Sequence, residues 1–146
     1  ASMMATPSET TSNKIALSEG PEHEVKMLNS GADGIMVFEP AVIKISKGDT
    51  VNFKAVDMSH NSASLEGMIP DGAESWNGAL SQDISITFTE EGVYVYQCTP
   101  HAMMAMVGVI QVGEAVNLDS VKSQASQTKS VFISNTDRLD DYLSRL

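Results

Sequence analysis

From residue 24 onward the apolar positions recur in short runs: VKML at 25–28, IMVF at 35–38, AVIKIS at 41–46 and TVNFKAV at 50–56. Three more follow, DISITFT at 83–89, VYVYQC at 93–98 and MVGVIQV at 106–112. Turn-forming segments separate them: SGADG at 30–34, KGD at 47–49, PDGAES at 70–75 and EEG at 90–92. Many short strands divided by Gly- and Asp-rich turns predict an all-β sandwich. Side chains alternate across a strand, so Val51, Phe53 and Ala55 share one face while Asn52 and Lys54 take the other. The same rule gives Ile84, Ile86 and Phe88 as an inward set. Residues 57–82 are the least regular and are expected to wrap one side of the sandwich as a long connection.

Past Val112 the period changes. Asn117 is placed to cap a short helix with Leu118 and Val121 on its apolar side. Thr136 is placed to cap a last helix in which Leu139, Tyr142, Leu143 and Leu146 fall at helical spacing. Between them SQASQTKS, residues 123–130, reads as a polar linker. The pattern predicts two short C-terminal helices lying on the outside of the sandwich, not a second domain. The opening stretch, ASMMATPSETTSNK, has neither an apolar core nor a composition suited to packing. The expected organisation is a leader over residues 1–21 and one domain over 22–146, with the sandwich at about 22–113 and the helices at about 117–146.

Composition narrows the function. A chain of 146 residues can bury a core without covalent staples, and its single cysteine has no intramolecular partner. A net charge of −10 argues against nucleic acid and anionic membranes as partners, since both require clustered Lys and Arg. No apolar run has the length of a bilayer span. Of nine methionines, Met103, Met104 and Met106 crowd just downstream of Cys98.

That crowding points to chemistry. Cys98, His101 and Met106 supply a thiolate, an imidazole and a thioether within nine residues, on a loop between two predicted strands. A second imidazole, His60, ends an earlier strand. Two His nitrogens and a thiolate, with a long axial Met sulfur, form the trigonal donor set of a blue-copper electron-transfer site. Zinc suits these donors too. The backbone N–H of Asn61 is the expected donor to the Cys98 sulfur. Met104, three residues after His101, is a rival axial ligand; Met106 is preferred because it immediately precedes the strand VGVIQV.

Each residue alone has a plainer reading: Cys98 as a buried small hydrophobe, His60 as a polar loop residue, the methionines as flexible apolar surface. Their order and spacing inside a β pattern outweigh it. His23 is expected to be exposed and not a ligand, and Trp76 to be partly exposed without a role. Enzyme chemistry is disfavoured: no oxyanion-stabilising motif accompanies the Cys98–His101 pair, and three histidines are too few for a further copper cluster. A copper-storage or delivery module is the alternative function class.

The segment CTPHAMMAM at 98–106 resembles the copper loop of cupredoxins. The stretches KMLNSGADGIMVFEPAVIKISKGDTVNF at 26–53 and SHNSASLEGMIPDGAE at 59–74, with the two terminal helices, resemble the pseudoazurin group of that family. The resemblance spans residues 22–146. It implies an eight-stranded Greek-key sandwich, one copper held by His60, Cys98, His101 and Met106, and Met36 beside the His101 ring. It implies a periplasmic monomer carrying electrons to nitrite reductase or other redox enzymes. In one respect the chain departs from the group, whose members ring the copper-proximal face with lysines. No Lys or Arg lies between Lys54 and Lys122, and Ser30, Met58 and Gln97 stand at expected lysine positions. The expected docking patch is therefore apolar (Pro100, Ala102, Met103, Ala105, Met36) within an acidic or neutral surround. That departure points away from a nitrite reductase-type acceptor and toward a partner with a basic rim.

Overall fold

The computed structural model describes residues 14–146. Eight strands follow in order among them: β1 (Glu22–Gly31), β2 (Gly34–Glu39), β3 (Val42–Ile45), β4 (Thr50–Lys54), β5 (Ala63–Ser64), β6 (Ile84–Thr87), β7 (Gly92–Gln97) and β8 (Val107–Val112). Two helices close the chain, α1 (Leu118–Thr128) and α2 (Arg138–Ser144), with a 3₁₀ turn between them at Lys129–Val131. One sheet has the order β2-β1-β4-β6, the other β3-β8-β7-β5. Within them β1 pairs with β4, and β3 with β8, in parallel; the remaining pairs are antiparallel. The two mixed sheets with short C-terminal helices match the predicted fold class.

Period-two alternation accounts for two cores. From β7, Tyr94, Tyr96 and then Cys98 enter the space between the sheets with Val25, Met27, Phe38, Val51, Phe53 and Met106. The alternate residues Val93 and Val95 point the other way, where Val107 and Val109 of β8 join Val121, Ala125, Phe132, Leu139, Tyr142 and Leu143. The β3-β8-β7-β5 sheet is thus covered on both faces, which is why VYVYQC reads as an unbroken apolar run. Ile84 and Ile86 face inward as predicted but are only half-buried, because β6 is an edge strand.

Several local expectations are corrected. Residues 123–128 are not a linker but the second half of α1, since Ala125 repeats the apolar position of Val121 one turn later. Asn117 stands at the start of α1 without capping it: its amide accepts from the Val93 N–H at 2.6 Å and donates to the Val93 carbonyl at 2.9 Å. The last helix begins at Arg138 with Asp137, not Thr136, at its cap position. Part of the expected leader makes contacts. The Ile15 N–H donates to the Arg145 carbonyl at 2.9 Å, and Ile15 packs on the outer core. Residues 1–13 of that leader lie outside the described residues.

Trp76 is buried rather than partly exposed. Its indole lies 6.1 Å from the Phe53 ring, and its Nε1–H donates to the Ser62 hydroxyl at 2.9 Å. The irregular stretch turns inward there because Ser64 holds the Trp76 backbone in both directions. His23 is also buried, at 8 % exposure, pinned between Ser18 and Asp49. No described helix is long and apolar enough to cross a membrane.

Candidate metal centre

Strands β1, β4 and β7 deliver their C-terminal ends to the same pole of the sandwich. β1 and β4 run parallel, with Lys54 at the end of β4 level with Lys26, and β1 continues past it to Gly31. The chain then returns as β5, whose Ala63 pairs with Gln97 at the end of β7. This pairing places His60, three residues before Ala63, against Cys98, one residue after Gln97. His60 and Cys98 are fully buried, and His101 is half-buried at the rim.

The loop 98–106 is closed at its neck by the Cys98 N–H, which donates to the Met106 carbonyl at 2.9 Å. Inside it Pro100 opens a 3₁₀ turn, and the His101 N–H donates to the Cys98 carbonyl at 3.0 Å. Ala105 ends the turn in the left-handed region at φ 57°, which reverses the chain into β8. Cys98 Sγ consequently lies 3.2 Å from His101 Nδ1 and 3.6 Å from His60 Nδ1. All three donor atoms fall within 4.8 Å of one another, and the two imidazole centroids are 4.9 Å apart.

Tautomers follow from the neighbours. His60 Nε2 is 2.7 Å from the Asn29 side-chain oxygen, an acceptor, so Nε2 carries the proton and the Nδ1 lone pair faces the cysteine. Burial, followed by the field of His101, lowers the His60 pKa below its ordinary value and keeps the ring neutral, while Asp57 opposes the shift. Burial pushes the Cys98 thiol up; the backbone N–H groups of Asn61 and His101 pull it back by favouring the thiolate. The sequence named the Asn61 N–H as a donor to this sulfur. The Asn61 side chain does more than was read there: its oxygen accepts from the Thr99 N–H at 2.7 Å, and its NH₂ donates to the Gly78 carbonyl at 3.0 Å. One amide therefore ties together the loops that carry His60 and Cys98. Asn29 was missed because nothing in its sequence neighbourhood marks a residue 31 positions from His60 as its partner.

A thiolate-capable sulfur and two imidazole lone pairs converging in a buried pocket fit a soft, tetrahedral-to-trigonal metal such as copper. Met106 is fully buried in the cluster that contains Cys98, whereas Met104 is at the surface at 36 % exposure. Met36 packs against that same cluster. Of the expected docking patch, Pro100 and Met103 are exposed and Ala102 and Met36 half-buried, but Ala105 is wholly buried beneath the turn it ends. The patch extends elsewhere instead. The Ile133 N–H donates to the Met103 carbonyl at 2.7 Å and the Ser81 N–H to the His60 carbonyl at 2.8 Å, which brings exposed Ile133 and Leu80 to the same pole.

Residues 25–113 match the family of copper-binding proteins of the plastocyanin/azurin type. A pseudoazurin of Paracoccus pantotrophus is 44% identical over 109 residues, covering 74% of this chain and 75% of that protein. The chain belongs to the pseudoazurins, within the plastocyanin/azurin family. Pseudoazurin structures agree: that from Methylobacterium extorquens AM1 superposes with a TM-score of 0.74 at 38% identity, over 84% of this chain and 97% of the other. Native pseudoazurin from Hyphomicrobium denitrificans gives 0.74 at 36% identity, over 86% and 98%. Members of this family bind one copper and carry electrons; they are not enzymes, and this chain is an electron carrier with a copper site of that kind.

Proposed function

We propose that His60, Cys98, His101 and Met106 hold the copper, and that the chain shuttles single electrons in the periplasm as a monomer between redox partner proteins that dock on the apolar pole. The convergence of His60 Nδ1, Cys98 Sγ and His101 Nδ1 within 4.8 Å carries this reading. Bound copper would supply a Cu(II)/Cu(I) couple able to store and release one electron. Cys98 supplies the thiolate and His60 the buried imidazole, oriented by Asn29. Met106, buried with Cys98 at the neck of the loop, would supply the thioether. His101 lies between the buried donors and solvent, so its ring edge is the route to a docked partner. Donors this deeply buried favour a carrier over a storage or delivery module, whose ligands must exchange.

Charge distinguishes the partner. The charged residues of the loops at this pole are Asp33, Asp57, Asp83 and Asp137, all acidic. Among the described residues, the cations near them are Lys54, which pairs with Asp83 at 3.7 Å, Arg145, which pairs with Asp33 at 3.8 Å, and Arg138, which is buried against backbone carbonyls. An apolar centre with an acidic surround complements a redox enzyme or carrier with a basic rim, for which association slows as salt rises.

Visible absorption after addition of Cu(II) tests the site. Wild type is expected to give an intense thiolate-to-copper band that bleaches reversibly on reduction, with Met106→Ala shifting the band and Met104→Ala leaving it alone. A colourless wild type, or a shift in the Met104 variant only, overturns the assignment. Electron transfer with a basic partner that quickens at high salt overturns the docking argument.

A further inference from the structure

Arg138, in the first turn of α2, is buried to 8 % exposure, yet among the described residues it makes no ion pair with a carboxylate. Its guanidinium is surrounded instead by backbone carbonyls. Nη1 donates to Met36 O at 2.9 Å and to Ala105 O at 3.3 Å; Nη2 donates to Ile35 O at 3.1 Å and to Asp33 O at 3.3 Å. A buried cation is tolerated only when its donors are satisfied, and this planar fork reaches the start of β2 and the 98–106 loop at once.

Both segments flank the proposed metal donors. Ala105 precedes Met106 directly and closes the turn that bears His101. Met36 packs against the cluster containing Cys98 and Met106. Both residues hold the left-handed backbone region, Met36 at φ 52° and Ala105 at φ 57°, although neither is glycine. Such a residue is strained and persists where its surroundings over-determine it. Each turns its carbonyl onto the same Nη1. The path of the guanidinium is tight as well, since a methyl group at Gly34 would meet Nη2 at 3.2 Å.

We infer that Arg138 is a positioning residue for the copper site: its fork locks the strained carbonyls of Met36 and Ala105, and so fixes where Met106 and the His101 turn stand relative to Cys98. The inference rests on the ligand assignment above. A lysine at this position keeps the charge but is a point donor that does not span four carbonyls; a glutamine keeps a donor and loses the charge. If the fork matters, both substitutions disturb the site. If charge alone matters, only the glutamine does.

The experiment uses the full-length chain, with Arg138→Lys and Arg138→Gln compared to wild type. In the copper-loaded protein both variants are expected to keep a thiolate-to-copper band, but with altered relative band intensities and a changed reduction potential. In the metal-free protein the amide hydrogens of Ala105 and Met106 are expected to exchange about tenfold faster or more in both, the effect of losing at least one charge-assisted hydrogen bond. Lower thermal stability with unchanged spectrum, potential and loop exchange would assign Arg138 a merely structural role and overturn the inference. So would a lysine variant indistinguishable from wild type. If the glutamine variant does not fold, the lysine variant decides alone. A wild type that yields no copper band refutes the ligand assignment, while amide exchange in the metal-free chains still judges the clamp.

Discussion

The sandwich carries a buried histidine at each pole, and the two differ in what surrounds the ring. At the pole where β1 and β4 begin, His23 has both nitrogens engaged by oxygen: Ser18 Oγ at 2.9 Å from Nδ1 and Asp49 Oδ2 at 2.9 Å from Nε2. At the opposite pole His60 has one nitrogen engaged by Asn29, and the other faces sulfur. A histidine saturated by a hydroxyl and a carboxylate acts as a bracket: it joins the N-terminal segment to the β3–β4 turn, where Asp49 also accepts from the Ser46 N–H at 3.0 Å. A histidine left one lone pair short, beside a thiol and a second imidazole, is available to a metal. The order Ser-His-Asp at the first pole superficially suggests hydrolytic chemistry, but metal-site chemistry at the second is the one supported by open donor atoms.

The sharpest way to break this contrast is Cys98→Ala, which should abolish the visible copper band entirely, whereas His23→Ala should leave it intact; absorption spectra of the two variants decide. Next in size, Asn29→Leu removes the acceptor that fixes the His60 tautomer, and copper affinity should fall about 10–100-fold in a competitive chelator titration. An unchanged affinity would show that the tautomer is held by something else. His23→Ala should cost about 1–3 kcal/mol in denaturant unfolding, because Asp49 loses its partner in a nearly dry setting.

Acid sharpens the same point. The hydrogen bond from His23 holds the Asp49 carboxyl below its ordinary value of 3.8. A carboxylate favoured in the folded state adds stability that is complete above the unfolded value and is lost as pH falls through the folded one. The metal-free protein should therefore lose stability below about pH 4, and Asp49→Asn should flatten that limb of the pH profile. The smallest effect is an ordering of tyrosines. Burial raises Tyr94 to about 12 and raises Tyr96, beneath the metal pole, further still. Neutral tyrosine is the form favoured by folding, so this contribution is present below pH 10 and fades as pH climbs past 12. Ultraviolet titration of the folded chain should show no tyrosinate from either at pH 10, and Tyr94 ionising before Tyr96.

The donor set was legible because its residue types are scarce and close in sequence: one cysteine, and a histidine three positions beyond it. The sheets were legible because period-two alternation is a local signal. What escaped was held by partners far along the chain. Nothing near His23 announces Asp49, 26 residues on, and nothing near Arg138 announces the Met36 carbonyl 102 residues back. Trp76 looked superficial because the stretch around it has no period, yet its indole N–H finds Ser62 within the core. The second half of α1 looked like a linker because its one buried contact there is a small alanine, Ala125.

The coating of β3, β8 and β7 by α1 and α2 also bears on how the protein folds. The outer faces of those strands expose Val93, Val95, Val107 and Val109 until Val121, Phe132, Leu139 and Leu143 arrive. That sheet can form no finished surface before α1 and α2 have docked, and until then it presents a sticky apolar wall to its neighbours. Docking of α1 and α2, rather than completion of the strands, is the step at which this sheet becomes safe from aggregation.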